Sequence, residues 1–243
     1  METYCIIIPV YNNANAIGSV IDGCLKQSKN VIVIDDGSTD GTTEIIQSKD
    51  VLHHKLKINQ GKGAALKAGF AIAQEKNYTY AITIDGDGQH YPTDIPRFIE
   101  HSQKHPGSLI IGERRFSENV TNASKIGLFF SNFFFRAATF RKAVDTQSGY
   151  RLYLVDSVSS LSLSANAYDF EIEVLIKSYW KGIPIEVLPI EVFYAKPEER
   201  ISHFQVRRDG WKGTKVYIRL LFMAPFKLPI YFFKYNKKRE SHQ

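Results

Sequence analysis

Hydrophobic and polar positions divide the first half of the chain into short apolar runs separated by segments with helical spacing. The apolar runs cover residues 4–9, 31–34, 80–84 and 108–112, with a weaker run at 51–58. Continuous apolar runs of this length are typical of strands that are covered on both faces. A first helical segment ends near residue 26, a second covers 42–47, and a third begins at Gly61-Lys62-Gly63. This order predicts a doubly wound, mostly parallel α/β sheet flanked by helices.

The second half of the chain continues with the same kinds of element. Helices are predicted over 92–105, 125–142 and 169–181, and a further strand over 183–192. Pro184 and Pro189 indicate that this strand lies at a sheet edge, because proline cannot donate a ladder hydrogen bond. The 125–142 helix has an unusually aromatic face, which fits core packing at least as well as contact with lipid.

Two segments near the C-terminus have a different pattern. Residues 194–210 are charged and have no clean period, which is common in a lid over a binding site. Residues 216–233 are apolar but interrupted by charges and prolines, which disfavours a membrane span and suits an interfacial helix. We therefore predict a domain over 1–210 and a basic, aromatic, amphipathic helical tail over 211–243.

Composition and charge narrow the choice of partners. The chain has 243 residues, is 44% hydrophobic and carries a formal net charge of +6. Basic residues concentrate in the last third and indicate an anionic partner, yet no nucleic-acid-binding motif is present, so we expect no nucleic acid. Cys5 and Cys24 have no partner spacing, and the first apolar run is too short for a signal peptide. We therefore expect a reduced, cytoplasmic protein.

One apolar run stops on two carboxylates, Asp85 and Asp87, with only Gly86 between them. Ligands of open α/β sheets bind beyond the carboxyl ends of the strands, where two acids can share one hard cation. The alternatives are an Asp-Gly hairpin turn and an EF-hand calcium loop. Gln89 and His90 at the fifth and sixth positions exclude the calcium loop, and the helix start that follows disfavours the hairpin. The sequence therefore predicts a divalent metal site.

Three further groups are candidates for binding phosphate or moving a proton. Gly61-Lys62-Gly63 opens a helix whose N–H groups favour anions, although a plain helix start is the simpler interpretation because Walker A and dinucleotide motifs are absent. Arg114 and Arg115 come at the end of a strand. They fit either the binding of a diphosphate or the role of solvated surface charges. Asp145 lies in a Ser/Gly loop, where a lone acid is usually a turn residue.

Six polar motifs follow one another along the chain: Pro9-Val10-Tyr11-Asn12, Asp35-Asp36-Gly37-Ser38, Asn59-Gln60-Gly61-Lys62-Gly63, Asp85-Gly86-Asp87-Gly88-Gln89-His90, Asp145-Thr146-Gln147-Ser148-Gly149-Tyr150-Arg151 and Glu198-Glu199-Arg200-Ile201-Ser202-His203. Taken together and in this order, they resemble the family 2 glycosyltransferases, and among these the dolichyl- and polyprenyl-phosphate sugar synthases. The resemblance implies a GT-A fold, a nucleotide-sugar donor such as a GDP- or UDP-sugar, Mg²⁺ or Mn²⁺ on the Asp-x-Asp element, and inversion at the anomeric carbon. Asn13 is a departure, since the polyprenyl-phosphate branch commonly has Glu there.

The resemblance also implies roles for individual residues. The donor-binding candidates are Pro9 and Tyr11 for the nucleoside, Asp35 and Asp36 for the base or ribose, and Lys62, Asp85, Gly86, Asp87, Arg114 and Arg200. The metal ligands would be Asp85, Asp87 and Gln89. Asp87 and Asp145 are the catalytic candidates. Asp145 would be a general base for an alcohol acceptor, or an orienting group for a lipid phosphate that is already anionic.

Three functions remain in competition on these residues. The first is sugar transfer to a membrane lipid, phosphorylated or not, and the second is transfer to a soluble or protein hydroxyl. The third is a non-catalytic module that binds sugar nucleotides, which the intact Asp85 and Asp87 disfavour. The aromatic helix, the basic lid and the tail favour a polyprenyl-phosphate acceptor and a peripheral position on the cytoplasmic face of a membrane. Arg200 is expected to close over the donor phosphates.

Overall fold

The computed structural model describes residues 3–114, 122–193 and 216–229. The strands are β1 (Tyr4–Val10), β2 (Val31–Asp35), β3 (Leu52–Lys55), β4 (Tyr80–Thr83), β5 (Leu109–Arg114), β6 (Arg151–Leu154) and β7 (Ile185–Ile190). The helices are α1 (Ala14–Leu25), α2 (Thr42–Gln47), α3 (Lys62–Glu75), α4 (Ile95–Lys104), α5 (Asn122–Thr139), α6 (Val155–Ser159) and α7 (Phe170–Lys181), followed by α8 over 216–229. A short 3₁₀ turn over Pro92–Asp94 precedes α4.

The strands form one sheet in the order β3-β2-β1-β4-β6-β5-β7. All neighbouring pairs are parallel except those of β6, which runs antiparallel to β4 and β5. The predicted mostly parallel α/β sheet is therefore confirmed, and β7 lies at an edge, as its prolines predicted. The carboxyl ends of β1, β2, β4 and β5 all point to the same side of the sheet.

Strand β6 was not predicted from the sequence. It is only four residues long and begins with a fully buried arginine, Arg151, so neither its length nor its pattern resembles a central strand. Arg151 pairs with Thr83 of β4 and with Ile111 of β5. Because β6 runs in the opposite direction, it begins where β4 ends. The polar loop before it is thus brought to the edge where ligands bind in such sheets.

The sheet is covered on both faces, which explains the continuous apolar runs. Along β1, Ile6 and Ile8 pack in the core that includes α1 and α4, whereas Cys5 and Ile7 pack in the core that includes α3 and α7. Successive strand residues point to opposite faces, so both sets must be apolar. Cys5 and Cys24 are buried and unpaired in different cores, and burial raises the pKa of each thiol to about 12.

Helices α5 and α8 pack against each other and leave aromatic side chains uncovered. Helix α5 buries Phe135 and Ala138, whereas the exposed fractions of Phe129, Phe130 and Phe133 are 69%, 55% and 56%. This part of the aromatic stripe of α5 therefore faces outward. The sequence left core packing and contact with lipid open for this helix, and core packing does not hold for these three residues.

Helix α8 has two distinct faces. Leu220, Ala224 and Leu228 are buried in the domain core, four residues apart, whereas Phe222 and Phe226 on the other face are 74% and 75% exposed. In the part of the chain that the structure describes, no helix is both long enough and apolar enough to cross a membrane. The division of the chain at 210/211 stays a prediction.

Candidate active site

The loop of the two central carboxylates follows β4 and lies at the sheet edge formed by the strand carboxyl ends. Asp85 and Asp87 are separated by Gly86, which packs so closely on β1 that an added Cβ would lie 3.2 Å from the Cβ of Val10. The backbone carbonyl of Gly86 accepts a hydrogen bond of 2.8 Å from Nδ2 of Asn13. These contacts hold the backbone between the two acids in place.

Asp85 is paired with a buried lysine. Nζ of Lys62 lies 2.6 Å from Oδ1 of Asp85 and 2.7 Å from Oε1 of Glu171, and its side chain is only 15% exposed. Burial by itself lowers the pKa of Lys62, but the two carboxylates outweigh burial and raise it. Burial likewise acts to raise the pKa of Asp85, and the Lys62 charge reverses this and lowers it. Asp85 is therefore ionised, and its charge is balanced within the protein.

Asp87 is in a less favourable electrostatic position than Asp85. Burial, and next the charge of Asp85, raise the pKa of Asp87 to about 6. The backbone N–H of Gln89 donates to Oδ1 of Asp87 at 3.0 Å, which offsets only part of this effect. A divalent cation between the two carboxylates would favour the ionised form of Asp87. The residues present therefore fit a site for Mg²⁺ or Mn²⁺, hard cations that prefer oxygen ligands.

The raised pKa of Asp87 predicts an unusual pH dependence of stability in EDTA. Between the ordinary carboxyl pKa of 3.8 and about 6, the folded chain holds more protons than the unfolded chain, so this group makes the fold less stable as pH rises. The melting temperature of wild type minus that of Asp87→Asn should therefore fall from pH 4 to pH 7. Saturating Mn²⁺ should raise the melting temperature of wild type at pH 7 again. If the difference in melting temperature between the two proteins is the same at every pH, the electrostatic account is contradicted.

A second pair of acids, Asp35 and Asp36, lies at the end of β2 and fixes the backbone around it. The two carboxylate oxygens of Asp36 accept the N–H groups of Gln60 and Gly61, each at 2.8 Å. Asp35 accepts an N–H and a hydroxyl from the residues that follow it. Asp36 thus fixes the start of α3 and with it the position of Lys62. The predicted contact of this pair with a base or ribose stays a prediction.

The start of α3 is covered by protein. Gly61 has a φ of +101°, and a Cβ on Gly63 would lie 2.9 Å from the backbone of Asn166 and from the Cβ of Phe170. The N–H of Ala64 donates to the carbonyl of Asn166 at 3.1 Å. These contacts favour the plain helix start over a phosphate cradle, and they leave Lys62 as the functional group of this motif.

Asp145 forms a forked ion pair with Arg114 at the end of β5. Nε and Nη2 of Arg114 lie 2.6 and 2.9 Å from the two carboxylate oxygens of Asp145, which is 4% exposed. Burial acts to raise the pKa of Asp145, but the hydrogen bonds and charge of Arg114 outweigh it and lower the pKa. A carboxylate with a lowered pKa is a weak base. This geometry favours the orienting role of Asp145 over the role of general base.

A double-mutant cycle separates these two roles of Asp145. If Asp145 acts by holding Arg114, the Asp145→Asn and Arg114→Gln changes should each lower kcat/KM about 10- to 100-fold, and the double variant should be no worse than Arg114→Gln alone. If Asp145 were the base, its removal would cause a further large loss in the Arg114→Gln background. The measurement is kcat/KM of the four proteins, with melting temperatures to confirm folding.

The loop over 145–150 is fixed by buried hydrogen bonds and approaches the acidic pair. The guanidinium of Arg151 donates to the backbone carbonyls of Ser148, Thr146 and Glu171 at 2.7, 2.9 and 2.8 Å. A Cβ at Gly149 would lie 2.5 Å from Nζ of Lys62 and 2.6 Å from Oδ2 of Asp85. A side chain at residue 149 would therefore have to displace the Lys62–Asp85 pair.

A known sequence family covers every element of this site except α7, which carries Glu171. Residues 5–161 match the family model described as Glycosyl transferase family 2. The chain belongs to glycosyl transferase family 2. The resemblance seen in the six motifs is thereby confirmed, and so is the assignment of the protein as a glycosyltransferase.

Several known proteins are similar over most of the chain. The UDP-N-acetylglucosamine–dolichyl-phosphate N-acetylglucosaminyltransferase of Methanococcus voltae is 27% identical and covers 92% of this chain and 96% of its own. The undecaprenyl-phosphate mannosyltransferase of Micrococcus luteus is 28% identical over a match that covers 76% of this chain and 81% of its own. The structure of glucosyl-3-phosphoglycerate synthase from Mycobacterium tuberculosis with Mn²⁺, UDP and glucosyl-3-phosphoglycerate superposes with a TM-score of 0.68 at 20% identity. The match covers 92% of this chain and 80% of that one. The predicted GT-A fold is confirmed by this likeness.

Most of the residues predicted for the site of this family 2 glycosyltransferase lie along one edge of the sheet. They are Pro9, Tyr11, Asp35, Asp36, Lys62, Asp85, Gly86, Asp87, Gln89, Arg114 and Asp145. Arg115, Arg200 and the 194–210 lid fall outside the described residues. The roles of all these residues in donor or metal binding stay predictions.

Three residues of the site were given no role from the sequence, although Gly149 and His90 lie within two of the six motifs. Glu171 holds Lys62 from α7, Gly149 gives the room that the ion pair needs, and His90 is buried beside the acidic loop. Burial lowers the pKa of His90 to about 4, so its ring is neutral near pH 7. Glu171 left no distinct signal, because α7 also contains Glu173, Lys177 and Lys181, so one more acid in its sequence does not indicate a buried partner.

Proposed function

We propose that this glycosyltransferase moves a sugar from a UDP- or GDP-sugar to a polyprenyl phosphate, with inversion and with Mg²⁺ or Mn²⁺ as the cofactor. One observation carries the metal and donor part of the proposal. Asp87 is a half-buried carboxylate whose pKa is raised to about 6 next to a second, charge-balanced carboxylate, Asp85. Such a pair is suited to hold a cation together with the diphosphate of a donor.

The charges around the site fit the proposed reaction. An oxygen of the acceptor phosphate forms a bond to the anomeric carbon, and the bond from that carbon to the donor diphosphate breaks, leaving its electron pair on the diphosphate. The cation, when bound, neutralises charge that develops on this leaving group. Lys62 keeps Asp85 ionised, and Asp85 and Asp87 would hold the cation. Arg114, fixed by Asp145, adds a positive charge close to the same carboxylates.

The acceptor class is supported by two features of the described residues. A phosphate acceptor is already anionic near neutral pH and needs no general base, which agrees with the lowered pKa of Asp145. The exposed phenylalanines of α5 and α8 offer an apolar surface next to the catalytic domain. The relatives from Methanococcus voltae and Micrococcus luteus are named for dolichyl-phosphate and undecaprenyl-phosphate acceptors. We place the enzyme peripherally on the cytoplasmic face of a membrane.

A matched pair of acceptors tests the proposal. The protein is incubated with labelled UDP- and GDP-sugars, Mn²⁺ or Mg²⁺, and either a polyprenyl phosphate or the corresponding polyprenol. We expect labelled lipid from the phosphate and none from the alcohol, and no product in EDTA. Transfer to the polyprenol or to a soluble hydroxyl acceptor instead would make the second candidate, an alcohol-directed transferase with Asp145 as base, the better description.

Membrane docking through the exposed aromatic residues gives a separate prediction. Wild-type protein should co-sediment with vesicles that contain phosphatidylglycerol, and Phe222→Ser/Phe226→Ser should reduce the bound fraction about tenfold or more, because burying each ring contributes about 1.5–3 kcal/mol. Ile58→Ser is the matched control, since Ile58 is 69% exposed but lies outside α5 and α8. Equal vesicle binding by wild type and the double variant would contradict docking through α8.

A further inference from the structure

A cluster of three metal-ligand side chains lies outside the active site. Among the described residues, His101, His105 and Glu186 bring one ligand atom each to within 4.8 Å of one another. His101 Nε2 is 4.0 Å from Oε2 of Glu186, and His105 Nδ1 is 3.7 Å from Oε1. His101 lies in α4, and His105 is the residue that follows its end. Because the two histidines are four residues apart, their side chains project from the same side of the helix.

The three side chains form one compact group at the surface between α4 and β7. The two imidazole rings lie with their centroids 4.6 Å apart and an interplanar angle of 27°, both facing β7. Nε2 of His101 is buried and makes no hydrogen bond. A buried ring nitrogen without a hydrogen bond is costly, and a metal ion is one partner that would satisfy it.

We propose that His101, His105 and Glu186 bind Zn²⁺. Two imidazole nitrogens and one carboxylate oxygen are a ligand set that zinc takes, with water in the fourth position. Zinc–ligand distances of about 2.0–2.1 Å place tetrahedral ligand atoms about 3.4 Å apart. The three ligand atoms lie within 4.8 Å of one another, and the two imidazole nitrogens lie 3.7 and 4.0 Å from different oxygens of Glu186, so the group must contract by up to about 1.4 Å to bind zinc. All three side chains are partly exposed, so rotation about their side-chain bonds can bring the ligand atoms together.

This site is separate from the proposed cation site at Asp85 and Asp87. Glu186 is the second residue of β7 and pairs with Ile110, the second residue of β5. The cluster therefore lies towards the amino ends of two parallel strands, whereas the acidic loop lies beyond the carboxyl ends. The ligand chemistry also differs, since Mg²⁺ and Mn²⁺ prefer oxygen and zinc accepts imidazole.

A zinc ion here would join α4 to β7. Strand β7 leads directly to Val192 and Phe193, which pair with His90 and Gln89 of the acidic loop. Zinc binding would therefore secure the edge strand that borders the active site. Because zinc binds this arrangement only in the folded chain, it raises the melting temperature.

Zinc titration in a background without the active-site carboxylate pair tests the proposal. Metal-free full-length Asp87→Asn is titrated calorimetrically with ZnCl₂, and its melting temperature is recorded with ZnCl₂ and with EDTA. The same measurements are made after adding His101→Gln, Glu186→Gln or, as the control, His54→Gln. His54 is an exposed histidine of β3 and is not in the cluster.

We expect one zinc ion per chain and a higher melting temperature in ZnCl₂. His101→Gln and Glu186→Gln should each weaken zinc binding at least tenfold and abolish the thermal shift, with unchanged melting in EDTA, while His54→Gln should have no effect. Absence of zinc binding in the parent would overturn the proposal. It would also be overturned if both variants bound zinc as tightly as the parent, and the cluster would then be an ion-pair group only.

Discussion

Asp87→Asn is expected to reduce kcat about 10³-fold or more while the protein stays folded. The change replaces one carboxylate oxygen by an amide nitrogen, so side-chain volume is kept but the negative charge and one hard ligand for the cation are lost. Losing a group that stabilises charge in the transition state typically costs about 10²–10³-fold in kcat. Loss of the cation itself adds to this, because the leaving diphosphate is then no longer neutralised.

The stability of the same variant makes the activity result interpretable. In EDTA at pH 7, Asp87→Asn should melt at the same temperature as wild type or higher, because the raised pKa shows that the charged carboxylate is destabilised there. Asp50→Asn is the control for an exposed aspartate and should keep full activity. Activity of Asp87→Asn within tenfold of wild type in Mn²⁺ would show that Asp87 is not a metal ligand.

Lys62→Met is expected to cause the largest loss of stability among single changes at the site. Its ammonium lies 2.6 Å from Asp85 and 2.7 Å from Glu171, and Glu171 is only 3% exposed. Breaking a buried ion pair by removing one partner costs about 3–5 kcal/mol, because the remaining charge is left uncompensated. At about 2–4 °C per kcal/mol for a chain of this size, the melting temperature should fall by roughly 6 °C or more.

Two further variants identify the cause of that loss. Lys76→Met removes an exposed lysine just after the other end of α3 and should change the melting temperature very little. Adding Glu171→Gln to Lys62→Met removes one of the two uncompensated charges and should recover part of the lost stability. If Lys62→Met melts like wild type, the buried lysine is not what balances Asp85, and the electrostatic contrast between Asp85 and Asp87 loses its basis.

The sequence was sufficient to predict the parts of the fold that have a strong local pattern. Runs such as 31–34 are apolar at every position because both faces of the sheet are covered, and β2 is found there. Pro184 and Pro189, just before and within β7, indicated its edge position correctly. Strand β6 was not predicted, because it forms by pairing with strands that are distant in sequence. Its own four residues, one of which is a buried arginine, do not have a strand pattern. Its reversed direction is a tertiary property without a local signal.

The candidate site was predictable to a similar extent. Asp85 and Asp87 were recognisable from their position after an apolar run, because that position is where open sheets bind ligands. Their different electrostatic states depend on Lys62 and Glu171, which are 23 and 86 residues away from Asp85 along the chain. The direction of the phenylalanines of α5 was equally undecided, because a stripe of aromatic residues has the same spacing whether it faces the core or the outside.

The most direct test of the central claim is whether a divalent cation and the Asp85–Asp87 pair together hold a nucleoside diphosphate. Calorimetric titration of wild type with UDP and with GDP is compared in Mn²⁺ and in EDTA, and then repeated with Asp87→Asn. We predict that at least one of the two nucleotides binds wild type ten or more times tighter in Mn²⁺, and that Asp87→Asn loses this enhancement. Equal affinities in Mn²⁺ and EDTA, or the same Mn²⁺ enhancement in both proteins, would contradict the account.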